Sequence, residues 1–80
     1  MDNSIRERFL SQSGSRNPLY AATNLALELC TQDPSDPWKQ PYEIPNAVVA
    51  AAQFFPEVDR EDLNTAVEVG YIVQAAGMPE

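Results

Sequence analysis

Proline disrupts a helix interior because it lacks an amide donor and clashes with the preceding turn, yet it fits the first helical position, where the amide has no partner anyway. The seven prolines of this 80-residue chain stand at positions 18, 34, 37, 41, 45, 56 and 79. Between them apolar residues recur at intervals of three and four, the spacing of a helix face. The chain is therefore confined to helices whose ends the prolines mark. The reading is an all-α domain: a small bundle of three main helices over about residues 18–31, 46–55 and 60–76, with a short N-terminal helix over about 4–11 and a proline-rich loop over 33–45.

Asn17 before Pro18 is the clearest start, since Asn caps and proline opens the first turn. Leu19, Ala22, Leu25, Ala26, Leu29 and Cys30 then share one stripe, with Leu27 off its centre and free to touch either the first helix or a partner. Ser4 is a cap candidate for the short first helix. Ser11 to Asn17 has loop composition, so residues 1–80 read as one domain in which residues 1–16 form an arm able to move.

Ile44, Pro45 and Asn46 open a helix smoothed by Ala47, Ala50, Ala51 and Ala52, and Pro56 stops it after Phe55. Asp59 starts the last helix, with Glu61 and Asp62 near its positive end. Leu63, Ala66, Val67, Gly70 and Tyr71 line one side of that helix; Val69, Ile72, Val73 and Ala76 widen the apolar surface, so the second half is expected to be buried from several directions. Gly70 costs about 1 kcal/mol against Ala in a helix interior, which implies a close neighbour, with the alanine-rich third helix as the expected one. Gly77 and Met78 are expected to form a C-terminal cap.

Charge narrows the partners. Five Lys and Arg against twelve Asp and Glu, with no His, give a formal charge of −7, which repels nucleic acid and anionic lipid. Residues 1–16 carry net +1 and residues 17–80 net −8, so the body is the acidic part. The single Cys30 has no internal disulfide partner, no basic-then-apolar signal precedes the fold, and apolar runs stop short of the roughly 18 to 20 residues a membrane span needs. The expectation is a cytoplasmic protein with no membrane partner.

Catalytic signatures are missing. Without His, serine and cysteine triads and histidine-bearing zinc sites are excluded within one chain, and Gly14, Gly70 and Gly77 are too scattered for a phosphate loop. Cys30 lies on the apolar stripe with no basic neighbour in sequence, a setting for an inert core thiol. Glu57, Asp59, Glu61 and Asp62 form the densest acidic group, but their spacing matches no calcium loop and they cannot oppose one another across a cleft. We expect no catalytic residue, no metal and no cofactor.

The stretch Phe54, Phe55, Pro56, Glu57, Val58, Asp59 superficially resembles the Phe-Pro turn of CUE-type ubiquitin-binding domains, which are also small and helical. Those domains carry a pair of leucines at the end of a third helix. Here the corresponding end is Ala75 and Ala76, so the likeness stops at the turn and assigns no family.

Binding is the remaining class. Trp38 and Tyr42 in the proline-rich loop are expected first to pin that loop to the helices and second to anchor a partner. The leading expectation is a non-catalytic acidic module that binds or occludes a basic protein surface, with Trp38, Tyr42, Glu57, Asp59, Glu61, Asp62 and Glu68 as its partner-binding residues. A sharper alternative is a phage-type inhibitor mimicking nucleic acid to block a nucleic-acid-binding machine. Another is a structural subunit or homodimer packing through Val69, Ile72, Val73 and Ala76.

Overall fold

Two carboxyl or amide side chains set the two best-defined helix starts. Asn17 Oδ1 accepts from the amides of Leu19 and Tyr20 at 2.9 and 3.3 Å, and Asp59 Oδ1 accepts from those of Glu61 and Asp62 at 2.8 and 3.2 Å. Each bond satisfies an amide that the helix itself leaves without a partner. In the computed structural model, which describes residues 4–14, 16–31 and 34–76, the helices are α1 Ser4–Gln12, α2 Pro18–Cys30, α3 Ile44–Phe54 and α4 Arg60–Ala76. No strand occurs among the described residues.

The differences from the sequence reading are local. α1 extends one residue beyond the expected 4–11 to take in Gln12, read above as loop, and Ser4 is its first residue rather than its cap. α3 begins at Ile44, which puts Pro45 rather than Asn46 at the opening, and Phe55 is the residue that leaves the helix, with φ −136° and ψ 65° ahead of Pro56. The Gly77 and Met78 cap lies outside the described residues.

α2 is the central element, packing against α1, α3 and α4, while α3 also packs on α4. The core joins Phe9 and Leu10 of α1, Ala21, Ala22, Leu25, Ala26, Leu27 and Cys30 of α2, Ala47, Val48 and Ala51 of α3, then Phe55, Leu63 and Val67. Alanine at five of these places lets backbones approach closely, so the three largest fully buried side chains, Phe55, Leu63 and Val67, fill the space between them. The α2 stripe is thus rotated from the one expected: Leu19 and Leu29 are only partly buried, whereas Ala21 and Leu27 are inside.

Leu27 also corrects the expected neighbour of Gly70. A Cβ on Gly70 would stand 2.9 Å from Leu27 Cδ1, so the missing side chain makes room for α2 and not for α3. Near their starts the same two helices border one cleft, lined by Asn17, Pro18 and Leu19 on one side and by Val58, Asp59 and Asp62 on the other. α2 and α4 therefore run side by side in the same direction. α2 ends with the Thr31 amide on the Glu28 carbonyl at 3.2 Å, whereas α4 continues to Ala76.

The second half of α4, expected to be buried from several directions, is exposed: Val69 is 55%, Ile72 64% and Val73 60% accessible, and every residue from 71 to 76 is exposed. Burial on α4 is confined to Leu63 and Val67, with Asn64, Ala66 and Gly70 partly covered.

Candidate protein-interaction surface

Arg6, Arg8 and Arg16 are each spent on an acid of the same chain. Arg6 Nη1 and Nη2 hold the two carboxylate oxygens of Glu57 at 3.0 and 2.6 Å, Arg8 holds Glu28 at 3.1 Å, and Arg16 holds Glu7 at 3.0 Å. The basic N-terminal segment is therefore neutralised partly by the acidic body. What remains on the described surface is dominated by negative charge.

Arg6 does more than pair. Its Nη1 also donates to the Phe54 carbonyl at 2.9 Å, one of the acceptors that the end of α3 leaves open. The guanidinium carbon lies 5.0 Å from the Phe55 ring centroid, within range for a cation over an aromatic face. One side chain of α1 thus fastens the end of α3 to the turn that leads into α4. Sequence reasoning missed this clamp because its partners are about fifty positions away in the chain, and no local pattern marks such a pair.

The clamp predicts a pH effect with a definite sign. The hydrogen bond from Arg6 holds the Glu57 carboxyl below its ordinary range, against an opposing push from desolvation. A carboxyl with a depressed folded pKa stabilises fully above its unfolded value, about 4.3, and this contribution is lost as pH falls through the lower folded value. Both groups are partly solvent-screened, so Arg6→Ala is expected to cost about 1 kcal/mol at neutral pH. In urea titrations the gap between wild type and variant should narrow as pH drops below about 4, down to what the Phe54 carbonyl bond and the Phe55 ring contact contribute. A gap that stays constant would remove the Glu57 pair from the effect and assign it to the Phe54 carbonyl bond and packing on Phe55.

The residues expected to bind a partner separate into three groups. Glu57 is committed to Arg6, and Asp59 caps α4. Trp38 and Tyr42 lie on the loop between α2 and α3, where the Tyr42 amide donates to the Leu29 carbonyl at 2.8 Å and ties that loop to the last turn of α2. Trp38 is 90% exposed, which overturns the first expectation that it would pin the loop; Tyr42 is also exposed.

The third group is Glu61, Asp62 and Glu68, all exposed on α4 with no ion pair to a described residue. At about 100° per residue, Glu61, Thr65, Glu68, Ile72 and Ala76 stack along the side of α4 opposite Leu63 and Val67, with Asp62 and Val69 on its edge. The outward strip is acidic along its first half and apolar along its second. Val73 borders the apolar half. Sequence reasoning named both sets of residues but gave the apolar set either to the core or to a symmetric interface, and so kept the two apart.

Burial pushes the Cys30 thiol upward in pKa, away from the reactive thiolate. Among the described residues no group of three acidic, Cys or His side chains is placed to hold a metal ion, and no helix is long and apolar enough to cross a membrane. Comparison with known proteins returns no match among family models, curated proteins or solved structures.

Proposed function

We propose that this chain is a non-catalytic interaction module that binds or occludes a basic surface of another protein. The observation that carries this reading is the distribution of charge: Arg6, Arg8 and Arg16 are each paired with an acid of the same chain, while Glu61, Asp62 and Glu68 stand exposed on one helix face with no ion pair to a described residue. Such a face draws a cationic partner in over long range, and a desolvated aromatic anchor lengthens the contact once made. Trp38, almost wholly accessible, is the anchor in this account.

The test starts from a partner recovered from the native host by affinity capture and identified by mass spectrometry. Its association rate should fall by about tenfold or more between low and high salt, as steered encounters do. Trp38→Ala should mainly raise the dissociation rate. Association that ignores salt would refute the electrostatic part of the proposal. If the partner also binds DNA, competition between DNA and this chain distinguishes a nucleic-acid mimic from an ordinary acidic module.

A further inference from the structure

The outward strip of α4 runs from Glu61 to Ala76, about 22 Å at 1.5 Å per residue, and changes character near Glu68. Its two halves ask for different things. Carboxylates need cations that remain with them when water leaves, because a buried charge without a partner costs several kcal/mol. Val69, Ile72 and Val73 need apolar surface, and their combined exposed area is on the order of the 300 to 600 Å² that makes up the largest patch on an ordinary monomer.

A second copy of the chain, paired α4 to α4, does not satisfy both halves. In parallel alignment, acids face acids. In full antiparallel alignment, the acidic half of each copy lies on the apolar half of the other and its carboxylates lose water without gaining a cation. Residues 61–76 contain no Lys or Arg, and Arg60 lies at the start of the helix, about 18 Å from Ile72 along its axis. Pairing only the last two turns leaves the acids hydrated, but falls well below the roughly 800 Å² per partner of a stable interface.

We infer that the α4 strip is a docking seam for an amphipathic helix of another protein, one whose contact face is apolar over about two turns and carries Lys or Arg over the next two. This rests on the proposed function and adds the shape and charge order of the partner segment. The acidic half fixes the direction in which the helix lies, because reversing it puts ammonium or guanidinium groups on Ile72 and Val73 and leucines on Glu61 and Asp62. Such a mismatch is how an interface rejects wrong partners.

The probes are two fluorescent helical peptides of equal leucine and lysine content. In one, the leucines of the contact face precede its lysines as a block; in the other they alternate. The block peptide should bind the full chain at least about tenfold more tightly than the alternating one, a difference of about 1.4 kcal/mol. Ile72→Ser and the pair Glu61→Gln with Asp62→Asn should each weaken it about tenfold. These positions are exposed, and unchanged far-ultraviolet dichroism would confirm that the variants fold. Equal affinity of the two peptides, or undiminished binding by the α4 variants, overturns the seam while leaving the basic-partner reading intact. Failure of both cationic peptides to bind at low salt overturns both proposals. Sedimentation showing a stable dimer that Ile72→Ser dissolves also overturns the seam, by giving the face to a second copy.

Discussion

Val67→Asp is expected to unfold the chain at neutral pH, while Ile72→Asp in the same helix is expected to leave it folded. Val67 is fully buried among α2, α3 and α4 contacts, and a carboxylate placed there has no described cation beside it. The penalty for an isolated buried ion is several kcal/mol, against a total stability of about 4 to 12 kcal/mol for a domain of this size. Ile72 already meets solvent over most of its surface. The same substitution there loses some helix propensity and puts a negative charge toward the negative end of α4, together about 1 kcal/mol or less. Far-ultraviolet dichroism with urea unfolding separates these outcomes. If both variants unfold, the second half of α4 is packed and the open face described above does not exist.

Phe55→Ala is expected to cost about 3 to 5 kcal/mol, the range for removing a buried phenyl ring. Phe55 ends α3, fills the centre of a core otherwise rich in alanine, and lies beneath the Arg6 guanidinium. Small neighbours such as Ala47 and Ala51 are held by helix backbones and cannot move in to close the cavity. Phe54→Ala, at a partly buried position beside it, should cost clearly less. The comparison is made from urea midpoints at constant slope. A loss below about 1 kcal/mol at Phe55 would mean that the ring does not close the core.

The parts of this fold that could be read from the sequence are those set by neighbouring residues. Asn17 with Pro18, Asp59 with its two following acids, and Pro56 after Phe55 place helix ends through bonds and clashes a few positions long, and the structure has them within a residue or two of the expected places. Gly70 signalled a close approach, but one glycine cannot say which helix approaches. Its neighbour turned out to be Leu27, the residue that the α2 stripe left off centre. Hydrophobic periodicity also cannot distinguish a face covered by the chain from a face left open. Val69, Ile72 and Val73 look like core in sequence, yet they stand away from the side of α4 that Leu63 and Val67 bury, and they are exposed. Trp38 failed for a related reason, since the Tyr42 amide holds the loop and leaves the indole outside. The Arg6 clamp depends on two segments meeting only after folding.

One face of α4 combines exposed acid with uncovered apolar surface, and it is the landing site proposed for a basic partner. Its most direct test is a nuclear magnetic resonance titration of the isotopically labelled chain with the block leucine-lysine peptide. The account predicts that backbone shifts concentrate along Glu61, Thr65, Glu68, Val69, Ile72 and Ala76, with Leu63 and Val67 moving little. Shifts centred instead on α1 or spread evenly over the surface would contradict it.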